Sequence, residues 1–167
     1  MEQLEYQPEG RTELGHLGKF ALIERLTDEF ATKQKNTIKG VGDDCAVLGK
    51  GKTKTVVTTD TMVEGVHFDM MYTPLKHLGY KAEAMSLSDI CAMNATPRQI
   101  LVSIAVSNRY SVEALEDLYA GIRLCCDRYD VDLVGGDTTT SRAGMMINVT
   151  AIGEVTEEAI AYRSGAK

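Results

Sequence analysis

Apolar residues recur along the chain with two different spacings, and the switches between them set out its elements. Phe20, Ile23, Leu26 and Phe30 return every three to four positions, so "GKFALIERLTDEFA" predicts an amphipathic helix with its apolar stripe facing a core. From Lys33 to Gly40 the chain is mostly polar and predicts a mobile connection. "DCAVLG" and "KTVVTTD" are short β-like runs on either side of the turn-forming "GKGK". Pro74 suits the first turn of a long helix reaching about Met93, which ends before the breaker Pro97. "QILVSIAVS" is the strongest strand. Ser111, followed by Val112, Leu115, Leu118, Ile122 and Cys125, predicts a second long helix to about Tyr129. "VDLV" predicts a short strand leading into "GGDTTT". "GMMINVTAIGEV" predicts another, with Met145, Ile147, Val149 and Ala151 alternating on one side. The order helix, strand, strand, helix, strand, helix, strand, strand predicts an α+β layer, a mixed β-sheet with helices packed on one face. Residues 1–13, with Pro8, Gly10 and charges, predict a flexible N-terminal arm.

Composition narrows the partners. A chain of 167 residues fits one domain with a sizeable core and leaves no room for a second full domain. Its net charge of −6 and pI near 5.1 argue against nucleic acid or an anionic membrane surface as the main partner. An anionic ligand therefore needs metal ions beside it. Cys45, Cys91, Cys125 and Cys126 lack zinc-site spacing, and the adjacent pair is a poor start for a disulfide framework. No apolar run approaches the ~18 residues of a membrane span, and "MEQLEYQPEGR" lacks a signal-peptide core. The expectation is a soluble, cytoplasmic protein with reduced, mostly buried thiols.

Within this acidic chain, carboxylates stand at the edges of predicted elements: Asp43 and Asp44 in "GVGDDCAVL", Asp60 in "VVTTDTMVEGVHF", Asp89 in "SLSDICAM" and Asp137 in "GGDTTT". On its helix Asp89 shares an arc with Leu78, Ala82, Met85, Ala92 and Met93, where an ionised group is costly unless paired, hydrogen-bonded or bound to a cation. Capping a loop backbone and holding a metal are both open to it. For the group, hard oxygen ligands without histidine or thiolate clusters favour Mg²⁺ over zinc, and Mg²⁺ commonly takes one or two carboxylates plus substrate phosphates. There is no GxxxxGK[ST] loop, which disfavours a P-loop fold. His67, in "EGVHF", is either structural or a hydrogen-bond partner of a ligand near the carboxylates. Arg163, in "AYRSGAK", is either a solvated charge or a bidentate phosphate holder. Cys45 has no evident base and reads as a small buried residue rather than a nucleophile. Gly135 and Gly136 let backbone approach a ligand closely.

"GVGDDCAVL", "TTDTMVEGVHF", "LSDICAM" and "GGDTTT", in this order and followed by "AYRSGAK", resemble the N-terminal half of the thiamine-monophosphate kinase family, within the wider group of aminoimidazole ribonucleotide synthetase-like enzymes. The resemblance runs from Leu14 to Lys167. It implies that residues 14–167 form an ATP- and Mg²⁺-binding N-terminal domain of a homodimeric enzyme. That enzyme transfers the γ-phosphoryl group of ATP to thiamine monophosphate, giving thiamine diphosphate. The family pattern makes Asp44, Thr58, Thr59, Asp60, Asp89 and Asp137 metal ligands, His67 a substrate-binding residue, and Gly136, Asp137 and Arg163 nucleotide contacts. Asp43 belongs to the motif without an assigned contact. In the family the chain continues after a motif like "SGAK" into a second domain, so the N-terminal half alone is expected to be inactive. Other ATP-using enzymes of the superfamily and a non-catalytic nucleotide-binding or dimerisation module are the alternatives. The chain departs from the family at Lys19, where Gly-Glu-Phe is common, and at Asn94, where Met-Gly-Ala is common. The second departure predicts altered turn geometry after the Asp89 helix.

Overall fold

The computed structural model describes residues 14–166, so the arm predicted over residues 1–13 lies outside the described residues. The chain divides into a unit ending at Lys33 and a larger one from Gln34 onward. In the first, a 3-10 turn at Leu14–His16 precedes helix α1, Lys19–Thr27. The helix is shorter than its sequence pattern predicts. The Thr27 hydroxyl donates to the carbonyl of Ile23 (2.8 Å), and the polar pair Asp28 and Glu29 separates it from Phe30. Phe30 thus falls beyond the helix end. The expected burial of the stripe is not observed: α1 has no buried residue, and Phe20, Leu26 and Phe30 are exposed.

The larger unit is a six-stranded sheet: β1 (Thr37–Lys39), β2 (Ala46–Leu48), β3 (Thr53–Val63), β4 (Thr96–Val106), β5 (Asp132–Thr140) and β6 (Met146–Thr156). Its spatial order is β1-β2-β3-β6-β4-β5. β4 and β5 are parallel and every other neighbouring pair is antiparallel, which makes the sheet mixed. β1 lies inside the stretch expected to be mobile. Three residues with one isoleucine give no readable alternation, yet Thr37 and Lys39 pair with Leu48 and Val47 of β2. β3 and β6 pair over eleven positions, from Thr53 opposite Thr156 to Val63 opposite Met146.

Two helices cover one face. α2, Leu75–Ala92, starts after Pro74, and α3, Val112–Tyr129, starts after Ser111, whose hydroxyl accepts from the Ala114 N–H (3.2 Å). α2 lies against β3, β6 and β4, and α3 packs on α2. Strand alternation decides which side chains meet the helices. Val56 and Met62, Ile147, Val149 and Ala151, and Ile100, Val102 and Ile104 are buried together with Leu78, Ile90, Leu118 and Ile122. The opposite face carries Thr59, Thr61, Asn148 and Thr150 among half-buried Leu101, Ala105 and Ile152. α2 and α3 touch backbone to backbone where two glycines cross. A Cβ on Gly79 would lie 2.0 Å from the Leu118 carbonyl oxygen, and one on Gly121 would lie 1.9 Å from that of Lys76. Among the described residues, no helix is long and apolar enough to cross a membrane.

Candidate functional site

Three elements bring carboxylates to one end of the helix-covered face. After Gly42, whose φ of +113° suits a residue without Cβ, the chain presents Asp43 and Asp44 just before β2. Asp60 lies near the end of β3, and Asp89 near the end of α2. Each carboxylate has a local partner. The Thr58 hydroxyl donates to Asp89 (3.1 Å), and that of Ser86 donates to Asp60 (3.0 Å) and sits 3.1 Å from the Val149 carbonyl oxygen. Arg163 forms an ion pair with Asp44 through its terminal nitrogen, and its Nε donates to the same oxygen (3.2 Å). The Arg163 backbone N–H donates to Asp43 (3.3 Å).

Electrostatics ties these groups together. Burial pushes the Asp89 carboxyl above the ordinary range. Asp60 adds to that shift, Thr58 opposes it, and Asp44 raises it further. The Cys45 thiol, buried and 3.3 Å from the Asp89 carbonyl oxygen, is pushed up to about 12 by burial and then by the surrounding carboxylates. It is a packed neutral thiol, as its sequence context predicts. A cleft of about 590 Å³ opens beside the cluster, lined by Asp44, Ala92, Tyr162, Arg163 and Ser164 among others.

Other residues singled out in the sequence stand elsewhere. Alternation along β3 sends Thr58 and Thr59 to opposite faces. Thr59 Oγ1 meets Thr150 Oγ1 (3.1 Å) and accepts from the Asn148 amide (3.0 Å), away from Asp89. Asp137 lies on edge strand β5, with β4 and β6 between it and β3. It shares a row with Ser103, Asn148 and Thr61, one step from the row of Asp60, Val149, Val102 and Gly136. Gly136 presses on β4, since a Cβ there would lie 1.8 Å from the Val102 carbonyl oxygen. Gly136 and Asp137 line a second cleft of about 560 Å³ with Val102, Tyr119 and Leu133. His67 is exposed in the turn after β3. Its Nδ1 accepts from the Val63 N–H (3.0 Å), so the neutral ring carries its proton on Nε2, available as a donor.

The donor set suits a hard divalent cation in charge and chemistry, because Asp60 and Asp44 disfavour ionisation at Asp89 and a cation would offset them. Among the described residues, no three His, Cys, Asp or Glu side chains converge closely enough to hold a metal ion. Ligation by several carboxylates therefore requires the Arg163 ion pair with Asp44 to give way. Ser86 was missed in the sequence pattern, although it stands three residues before Asp89, one helical turn away. Asn94, φ 56°, takes up a left-handed turn, a conformation that asparagine and glycine both tolerate.

The family model for the AIR synthase related protein, N-terminal domain, matches residues 42–155. The chain is 36% identical over 152 residues to the thiamine-monophosphate kinase of Bacillus subtilis, covering 90% of this chain and 46% of that protein. It is 34% identical over 155 residues to the one from Synechococcus elongatus, covering 92% and 45%. It thus spans about half the length of the curated relatives it matches. A solved structure described as AaThiL complexed with AMPPCP and TMP superimposes with a TM-score of 0.82 at 29% identity, over 95% of this chain and 48% of that one. A HypE–HypF complex, at TM-score 0.67 and 24% identity, covers 88% of this chain and 46% of that one and speaks for the fold alone. With the mixed sheet, its helix cover and the motif order all in agreement, the chain belongs to the AIR synthase related protein family and contains that family's N-terminal domain.

Proposed function

We propose that this chain supplies the nucleotide- and metal-binding part of an ATP-dependent kinase that converts thiamine monophosphate to thiamine diphosphate. The observation that carries the reading is the electrostatic coupling of Asp44 and Asp60 to Asp89, three carboxylates from separate elements, with Arg163 paired to Asp44 where both line one cleft. The kinase names of the relatives, and the AMPPCP and TMP bound to the AaThiL neighbour, support the choice of substrates. Residues 14–167 are the binding domain in this reading. Cytoplasmic residence suits the four free thiols.

Asp44, Thr58, Asp60, Asp89 and Asp137 are the oxygen donors proposed for Mg²⁺, and Thr59, on the opposite face of β3, lies apart from them. When bound, Mg²⁺ neutralises phosphate oxygens and offsets the repulsion between two anionic reactants. The acceptor is already a phosphate anion, so the protein has little need of a strong base. Its own residues bind and align. Arg163 grips phosphate oxygens through its planar fork once it leaves Asp44. Gly136 brings backbone close to the nucleotide beside Asp137. His67 offers Nε2–H to the thiamine phosphate, and Ser86 and Thr58 orient Asp60 and Asp89.

Thermal unfolding of the 167-residue chain tests the site. Millimolar Mg²⁺ with AMPPCP is expected to raise the midpoint by several degrees, and Asp44→Asn or Asp137→Asn is expected to abolish the rise. Asp89→Asn is expected to abolish it too while melting higher than wild type without metal. A carboxyl raised in the folded state binds its proton more tightly there, so its contribution to stability is lost as pH rises above the ordinary carboxylate range. The amide removes that loss. A midpoint indifferent to Mg²⁺ and AMPPCP would overturn the reading.

The open face of the sheet is the proposed homodimer surface. Its half-buried Leu101, Ala105 and Ile152 and exposed Met146 lie on the side α2 and α3 leave uncovered. Light scattering at micromolar concentration is expected to give twice the chain mass. Substituting lysine for Leu101 should return a folded monomer, and a monomeric wild type would defeat the assignment.

A further inference from the structure

The segment that follows β6, from Glu157 to Arg163, is held at four places. The Glu157 N–H donates to the Lys52 carbonyl (2.8 Å), and its carboxylate lies 3.2 Å from the nitrogen of buried Lys54. The Asn94 amide donates to the Ala159 carbonyl (2.9 Å). The Ala161 N–H donates to the Met93 carbonyl (3.2 Å), and the Arg163 N–H reaches Asp43 (3.3 Å). The two middle points lie on the residues that end α2, a few positions after Ser86 and Asp89. The helix that carries Asp89 therefore also holds the strap that carries Arg163.

We infer that Asn94 is a positioning residue: its side-chain amide ties the strap to the end of α2 and so sets the Arg163 guanidinium against Asp44. Two properties are combined in this one residue. Its backbone takes the left-handed conformation that lets the chain turn from α2 into β4, which asparagine and glycine tolerate. Its side chain, at an exposed position, adds a tether that a glycine could not make. Water can replace that hydrogen bond at the Ala159 carbonyl, so its loss costs little global stability. What it changes is where the strap rests, and a small displacement of a phosphate-gripping arginine weakens ligand binding. The strap part of this inference stands on geometry alone, and the nucleotide part rests on the function proposed above.

Asn94→Gly keeps the turn and deletes the tether, and Asn94→Asp keeps size and turn while replacing the donor with an acceptor. In the 167-residue chain both are expected to speed hydrogen exchange at the Ala161 and Arg163 N–H groups by about tenfold or more. The exchange of the Met93 and Ala95 N–H groups and the melting temperature should stay near wild type. Affinity for AMPPCP with Mg²⁺ should fall roughly threefold to tenfold, in the same direction as in Arg163→Ala. Unchanged exchange at Ala161 and Arg163, or acceleration confined to the helix end, would overturn the positioning role, as would a lowered melting temperature with nucleotide affinity intact. Full AMPPCP affinity in Arg163→Ala would instead overturn the nucleotide role of Arg163, with the exchange rates still deciding the role of Asn94.

Discussion

Replacing Glu83 by leucine is expected to raise the unfolding midpoint by roughly 5 °C or more at pH 8 and by much less at pH 5. Glu83 is wholly buried between α2 and α3, one of its oxygens without a hydrogen-bond partner, the other 3.5 Å from the Cys126 thiol. Burial pushes its carboxyl up to about 7, against the smaller opposing effect of the Cys126 and Cys125 thiols. The folded protein thus keeps this proton to higher pH than the unfolded chain, and stability falls as pH rises from the ordinary glutamate value of 4.5 to about 7. Above that window the loss is complete, on the order of 3 kcal/mol. Cys125 and Cys126 are themselves pushed up to about 12 and stay neutral throughout, so the window belongs to Glu83. Urea or thermal unfolding of both proteins between pH 5 and 8 reads the effect as a gap that widens with pH. Parallel curves would show that Glu83 carries no cost of ionisation.

Gly121→Ala is expected to be among the most damaging of the conservative substitutions, costing about 3 kcal/mol or more. The added methyl would sit 1.9 Å from the Lys76 carbonyl oxygen and 2.9 Å from the Tyr80 nitrogen, and both obstacles are backbone. α3 can accept it only by lifting from α2, which exposes Leu118, Ile122 and Cys125 along the same seam. Gly165→Ala, where a Cβ meets nothing within 4 Å, is the control expected to leave the midpoint unchanged. A loss below about 1 kcal/mol in Gly121→Ala would mean that the helix crossing relaxes freely.

Both residues show where sequence patterns stop. The ends of α2 and α3 were legible because Pro74 and Ser111 act through local backbone chemistry, and β4 and β6 because their alternation is long. The helix-facing stripe of α2 was legible only in part. Because α2 is covered by the sheet on one side and α3 on another, its buried arc also takes in Gly79, Glu83, Ser86 and Leu87, positions that periodicity alone leaves to solvent. β1 and the early end of α1 were hidden for the opposite reason, since three residues and a single threonine carry too little pattern. At the site, the acidic motifs could be read one by one. Their arrangement could not. Asp60 and Asp137 look alike in sequence, but strand order separates them by two strands, and only alternation along β3 parts Thr58 from Thr59.

That strand order also governs the time at which the sheet can form. β6 is the last of these six strands to be synthesised, yet it lies between β3 and β4 and is paired along its length with both. Until about residue 156 has left the ribosome, β1–β3 and β4–β5 are separate ribbons, with their helix-facing residues unsheltered. Closure must then join Thr53 to Thr156, a contact between distant parts of the chain that makes folding slow and leaves the nascent chain open to misassociation. Arg163 follows seven residues later, so Asp44 meets its cationic partner, and Asp43 the Arg163 N–H, only after the last strand of this sheet has been made.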